Sequence, residues 1–198
     1  MTAKTPLFPL NALVCPGGKL PLRVFEVRYL DMVKQSLKQG VGFVIVMLRE
    51  GQSELANVSD PVSRFYQIGT LVNIIDFDQG EDGVLNITVQ GGERVRLSHA
   101  EQNAQGLWLA DTEALDEESF VALPEEFLEL KSVLQALVQH PVVRDLNVEI
   151  DYQDGRQIGW RLTELLPLDN ADKQYLLELN DPVCRLEKIS DRLDQMIA

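Results

Sequence analysis

The sequence predicts an α+β protein with a β-rich first part and a helical second part. Between Thr5 and Leu115, short apolar segments alternate with proline- and glycine-containing breaks, a pattern typical of strands and turns. From Pro124 onward, apolar residues instead recur at helical spacing. The acidic stretch 116–119 lies between the two patterns. We therefore predict a β-rich subdomain at residues 1–118 and a helical subdomain at residues 119–198.

Four prolines divide the first segment of the chain into short extended pieces. They are Pro6, Pro9, Pro16 and Pro21. Each proline fixes φ and removes a backbone donor, so short strands or edge strands are expected between them. Residues 16–18, Pro-Gly-Gly, predict a turn. After Pro21 the alternating pattern gives way to helical spacing, which predicts a helix over residues 26–38 that stops at Gly40.

The next segments predict further strands. Residues 41–48 are apolar on both faces, which suits a strand in the centre of a sheet. Strands are also predicted at 66–77, 84–89, 93–98 and 108–115, with turns at 80–83 and 90–92 and an exposed loop at 49–64. Sequential short strands favour a meandering antiparallel sheet that curls into a barrel, with the single helix plugging or flanking it.

The second part predicts a helical bundle. One helix begins at Pro124 and ends before Pro141, and residues 142–155 are predicted to form a turn or loop. The apolar stripe from Ile158 to Leu166 marks the next helix, which Pro167 stops. Asp169 is the predicted N-cap of a short helix, and residues 181–182, Asp-Pro, predict the start of the last one.

Composition and charge narrow the functional classes. The chain is 45% hydrophobic and 25% charged, as in ordinary globular proteins, and it holds no apolar run of the roughly 20 residues that a membrane helix needs. The N-terminal residues lack the apolar core of a secretion signal, so we expect a cytoplasmic protein. The net charge of −13, concentrated in the second part, argues against binding to nucleic acid.

No cofactor, metal or catalytic pattern emerges from the sequence. Cys15 and Cys184 are predicted to be reduced and structural, and only His99 and His140 are available as bases for a thiol nucleophile. The two Cys and two His match no zinc spacing. Residues 76–83 resemble a calcium loop, but glycine comes one place early and Ile87 stands where glutamate is required, so a solvated hairpin is favoured.

Candidate contact residues cluster where the second strand runs into the helix. They are Arg23, Glu26, Arg28 and Tyr29. Their side chains could converge on a groove, or they could form a charge pair and a tyrosine anchor that hold the helix to the sheet. Trp160 and Trp108 could line an apolar contact surface or pack in the core. Phe8, Phe25 and Phe43 are predicted to lie in the core.

The segments PLFPL, PGG and PLRVFEVRYLDMV, within residues 6–33, resemble the start of the Lon protease N-terminal (substrate-binding) domain family. IGTLVNI, ITVQGGERVRLS and DKQYLLELNDPVCRLEKISDRL extend the resemblance over nearly the whole chain. It implies a PUA-like β pseudo-barrel followed by a helical bundle. The phosphate-binding loop of the Lon ATPase, G-x-x-x-x-G-K-[ST], is not in the sequence, so we expect a stand-alone member without the ATPase and peptidase domains.

The resemblance favours a non-catalytic module that binds extended or unfolded polypeptides, and no enzyme activity is expected. Either the junction of the β and helical subdomains or an exposed sheet edge would hold the bound segment. Such a module could be an adaptor for proteolysis or protein quality control, working with a protease or chaperone. The alternatives are a PUA-like protein that binds RNA or a small molecule, and a hydrolase that uses Cys15 or Cys184.

Overall fold

The structure, a computed structural model, describes residues 4–49, 61–80 and 84–197. The strands are β1 Thr5–Leu10, β2 Lys19–Val24, β3 Phe43–Met47, β4 Ile68–Gln79, β5 Leu85–Gln102 and β6 Trp108–Ala114. The helices are α1 Val27–Gln39, α2 Leu128–Leu137, α3 Pro141–Arg144, α4 Gly155–Leu165, α5 Asn170–Glu178 and α6 Pro182–Ile197, with 3-10 turns at Pro61–Arg64 and Glu125–Phe127. The α+β class is confirmed, and the chain divides into two compact units, residues 1–115 and 116–198.

The sheet of the first unit closes on itself. Strands β5, β4, β3, β1 and β6 pair in that order, and β6 pairs again with β5. Strand β2 lies outside this ring, against the first half of β5. The predicted antiparallel meander is wrong for β1, which is parallel to β3. The chain between β1 and β3 makes β2 and α1, and a crossover of this length allows parallel pairing.

Strand β5 corrects a second prediction, the turn at residues 90–92. The strand runs unbroken through Gly91 and Gly92. Gly91 exchanges backbone hydrogen bonds of 2.8 Å with the turn at residues 16–18, donating to the Gly18 carbonyl and accepting from the Gly17 N–H. A Cβ at Gly91 would lie 2.2 Å from the Cys15 carbonyl oxygen. Glycine is required here because another backbone approaches closely, which is its usual meaning inside a strand.

The ring buries apolar side chains on both faces of its central strand. Phe43 and Ile45 of β3 belong to one core cluster, whereas Val44 and Val46 belong to another. All five residues of β3 are buried, which confirms the prediction of a central strand. Successive residues of a strand point to opposite faces, so β3 separates the two clusters.

Helix α1 packs against the first of these clusters. It buries Tyr29, Met32 and Val33, and the Tyr29 ring stacks on Phe8 with 4.2 Å between the ring centroids. Gly40 ends the helix in the left-handed conformation, with φ of 65°, and donates its N–H to the Ser36 carbonyl at 2.9 Å. The sequence signals for this helix are confirmed, since glycine adopts positive φ without strain.

The second unit is helical, as predicted. Its core combines apolar residues from the 3-10 turn Glu125–Phe127 and from α2, α4, α5 and α6. The predicted caps are confirmed: Asp169 accepts from the Asp172 N–H at 2.7 Å, and Asp181 accepts from the Val183 N–H at 2.8 Å. Pro141 was expected only to end a helix, but it also begins the short α3, because proline suits the first helical position.

A buried charge network joins the start of this unit to its last helix. The Arg185 guanidinium is fully buried; it pairs with Glu118, donates to the Leu176 carbonyl at 3.0 Å and lies 3.3 Å from the Trp160 ring centroid. Asp154 caps α4 and is ion-paired to Arg156, which also donates to the Glu118 carbonyl. Residues 116–118 therefore fold with the helices.

Two sequence predictions fall partly outside the described residues. Of the predicted loop at 49–64, residues 50–60 lie outside them; of the predicted turn at 80–83, residues 81–83 do. Within the described ranges, no helix combines the length and apolarity needed to cross a membrane.

Candidate functional site

The junction between β2 and α1 brings together three of the predicted contact residues. The Arg28 guanidinium lies 2.8 Å from the Glu26 carboxylate, donates to the Gly106 carbonyl at 2.9 Å and sits over the Tyr29 ring, 4.7 Å from its centroid. Gly106 belongs to the connection between β5 and β6. Arg28 therefore ties the start of α1 to that connection, as the anchoring alternative proposed.

The two predicted aromatic contact residues lie inside their units. Tyr29 is 3% exposed and stacks on Phe8, and Trp160 is 5% exposed and packs on Arg185. Trp108, the other tryptophan considered, is also buried. Their contacts in the structure are packing contacts, and a role of Tyr29 or Trp160 in binding stays a prediction.

The exposed members of the predicted set are Arg23 and Glu26, and apolar residues stand between and beside them. Phe25 is 71% exposed and Val27 is 73% exposed. The prediction that Phe25 lies in the core is wrong, whereas Phe8 and Phe43 are buried as predicted. Phe25 is exposed because it follows Val24 of β2, which is buried, and successive strand residues point to opposite faces.

The end of β4 adds two more exposed apolar residues. Ile75 is 45% exposed and Phe77 is 59% exposed. Leu85 of β5 pairs with Val24 on one side and with Gln79 on the other, so β2 and β4 end at the same end of the sheet. Two strand spacings, about 10 Å, separate them. We call Phe25, Val27, Ile75 and Phe77 the apolar rim.

The rim combines apolar side chains with charge. Arg23, Glu26, Asp76 and Asp78 are exposed beside it. Contiguous exposed apolar patches edged by polar residues are typical of contact surfaces for other proteins. Sequence reasoning identified the junction but missed Ile75 and Phe77, because β4 was predicted to end at Phe77 and its ends could not be aligned with β2.

The cysteines and histidines considered for catalysis are not members of the apolar rim. Cys15 is buried and Cys184 is half-buried in the first turn of α6, and both are free thiols. His99 is exposed and lies 3.1 Å from the Asp111 carboxylate. Within the described ranges, no group of three His, Cys, Asp or Glu residues could hold a metal ion. The calcium-like stretch at 76–83 is described only as far as Gly80.

Sequence comparison relates the whole chain to one class of protein. Residues 4–195 match the family described as the ATP-dependent protease La (LON) substrate-binding domain. Lon protease 1 of Bdellovibrio bacteriovorus is 26% identical over 199 residues, which are 96% of this chain and 24% of that protein. Lon protease of Escherichia coli is 24% identical over 201 residues, 97% of this chain and 25% of that protein. The chain spans about a quarter of the length of these curated relatives.

Solved structures share the fold over the same extent. The crystal structure of a Lon N-terminal domain protein from Xanthomonas campestris superposes with a TM-score of 0.77 at 32% sequence identity, covering 95% of this chain and 97% of that one. The N-terminal domain of Mycobacterium avium complex Lon protease superposes with a TM-score of 0.65 at 19% identity, covering 95% and 96%. At 19% identity, the second likeness concerns the fold alone.

Proposed function

The chain belongs to the family of Lon substrate-binding domains, and we propose that it is a non-catalytic module that holds extended or unfolded polypeptide segments at the apolar rim. The observation that carries this proposal is the exposure of Phe25 and Val27 at the junction of β2 and α1. Burying a large apolar side chain against a partner contributes roughly 1.5–3 kcal/mol. The rim can therefore hold a segment with modest affinity.

The first experiment tests the rim with matched variants. We expect Phe25→Ser to weaken binding of a fluorescently labelled, reduced and carbamidomethylated α-lactalbumin by roughly tenfold, because one buried aromatic contact is lost. Phe120→Ser removes a phenylalanine of similar exposure from the other unit and serves as the control. Fluorescence anisotropy measures both, and circular dichroism melts check that both variants fold. Equal affinities of the two variants would contradict the proposal.

The wider role follows from the same binding activity. A module that holds unfolded segments can act as an adaptor that presents them to a protease or chaperone in the cytoplasm. The free thiols of Cys15 and Cys184 are compatible with that reducing compartment. Nucleic acid has no part in this proposal, because a chain with a net charge of −13 repels phosphates.

A further inference from the structure

Among the residues that the structure describes, the last stretch of β4 has a strand partner on one side only, and we call its other side the open side. Strand β3 pairs with β4 only as far as Phe43 and Val72, after which Asn73–Gln79 pair with β5 alone among the described residues. Gly42, just before β3, still lies against β4, since its Cβ position is 2.4 Å from the Val72 carbonyl oxygen. An open strand side presents backbone donors and acceptors to any extended chain.

The backbone of Phe77 identifies which groups face the open side. Its N–H donates to the Asp76 carboxylate at 2.9 Å. In an antiparallel pair, the backbone groups of alternate residues point toward the partner and away from it. The N–H of Phe77 therefore points outward, and that of Gln79 does so as well. The register shift between Ile74 and Asp76 interrupts the alternation on the other side of Phe77.

The side chains along this stretch divide by charge. Asp76 and Asp78 pair with Thr88 and Asn86 of β5, whereas Phe77 pairs with Ile87. Paired residues share a face of the sheet, so the two carboxylates lie on one face and the Phe77 ring on the other. Both aspartates are exposed. An added strand would therefore meet acidic groups on one face and an apolar ring on the other.

This charge pattern selects among strands. Opposite charges directly across a sheet stabilise pairing by roughly 0.2–1 kcal/mol each, and like charges destabilise it by similar amounts. The aspartates thus disfavour pairing with an acidic strand, including β4 of a second copy. They favour a strand that places Lys or Arg on the acidic face and apolar residues on the other.

From this juxtaposition we propose that the open side of Asn73–Gln79 takes an extended polypeptide segment in which basic and apolar residues alternate, as an added strand. The inference rests on the proposed function and specifies the class of segment. Phe77 belongs to both the apolar rim and the open strand, and it lies on the opposite face of the sheet from Phe25. The segment gains main-chain hydrogen bonds, apolar contact with Phe77 and ion pairs with Asp76 and Asp78.

Labelled peptides test the preference directly. Lys-Val-Lys-Phe-Lys-Val-Lys is compared by fluorescence anisotropy with its Glu counterpart and with a peptide of the same composition in which the lysines form one block. We expect the alternating basic peptide to bind about tenfold more tightly than either. Its affinity should fall with added salt, because exposed ion pairs are screened. Equal binding of the alternating and block peptides would overturn the inference.

Backbone methylation separates strand addition from simple charge attraction. Two versions of the basic peptide are made. One carries N-methyl groups on its odd-numbered amides and the other on its even-numbered amides. Only the set that faces β4 can donate to it, so we expect one version to lose binding and the other to keep it. Loss in both versions or in neither would contradict an added strand.

A double variant tests whether the aspartates of β4 cause the preference for the basic peptide. Asp76→Asn with Asp78→Asn should reduce the preference for the basic peptide to about threefold or less. The control, Glu187→Gln with Asp194→Asn, removes the same charge from exposed positions of α6 and should leave the preference unchanged. An unchanged preference in the β4 variant overturns the inference. If the wild type binds unfolded α-lactalbumin through Phe25 but does not discriminate the peptides, only this inference fails. If it binds neither, the proposed function fails as well.

Discussion

Arg28 shows how one residue can be read either as a contact residue or as an anchor. Its guanidinium joins Glu26, the Gly106 carbonyl and the Tyr29 ring, all within the first unit. We expect Arg28→Ala to lower the free energy of unfolding by about 1–2 kcal/mol, because a charged hydrogen bond and a half-exposed ion pair are lost. Urea denaturation measures this change.

The matched comparison for Arg28 is Glu26→Gln, which removes the ion pair but leaves the bond to Gly106. This variant should cost less than about 0.5 kcal/mol. If Arg28→Ala kept full stability and yet lost polypeptide binding, Arg28 would be a contact residue and the anchoring interpretation would be wrong.

Asp154 makes the stability of the second unit depend on pH. Burial alone would raise the pKa of Asp154, but hydrogen bonds from the Arg156 side chain and backbone N–H outweigh it and hold the pKa below its usual range. A group whose pKa is lowered by folding contributes stability above its unfolded value, about 3.9, and that stability is lost as the pH falls through the folded value.

We therefore expect Asp154→Asn to lower the free energy of unfolding by about 1–2 kcal/mol at pH 7 and by clearly less near pH 3. Asparagine keeps the cap on α4, so the loss reports mainly the ion pair with Arg156. Urea denaturation of both proteins between pH 3 and 7 measures the difference. A difference that stays constant with pH would contradict this assignment.

At the scale of elements, strand β5 depends on glycine where it meets the turn at residues 16–18. We expect Gly91→Ala to destabilise the first unit by about 3 kcal/mol or more, because the new Cβ would lie 2.2 Å from the Cys15 carbonyl oxygen and backbone must move. Thermal and urea unfolding measure the loss.

Gly106→Ala is the control for Gly91. Gly106 has φ of 77° but open space around its Cβ position, so alanine there should cost only about 1–2 kcal/mol of backbone strain. If the two variants were equally stable, the close approach at Gly91 would not be what requires glycine.

Helices were easier to predict than strands because their signals are local. Asp169, Asp181 and Gly40 each mark a helix end through a bond made within a few residues, and all three are confirmed. The strand errors at residues 90–92 and at β1 share one cause. In both cases the structure depends on a partner that is distant in the chain. A glycine pair looks the same in sequence whether it makes a turn or lies against a distant backbone, and the sequence of β1 does not show that it pairs with β3.

For the molecule as a whole, the family resemblance is confirmed by the match over residues 4–195. The closure of the sheet was foreseen only in outline. It depends on β6 pairing with both β1 and β5, and the residues of β1 and β6 are far apart in the chain. The ion pair of Glu118 with Arg185 is equally non-local and places residues 116–118 with the helices.

By itself, the sequence determined the α+β class, the helix ends at Gly40, Asp169 and Asp181, and the central strand β3, because these depend on local chemistry and on periodic burial. The family followed from the resemblance of its motifs. Tertiary structure alone decided that Phe25 is exposed and that β4 extends beyond its pairing with β3. It also aligned the ends of β2 and β4 through Leu85. Pairing register and exposure depend on residues distant in the chain, so no local pattern could supply them.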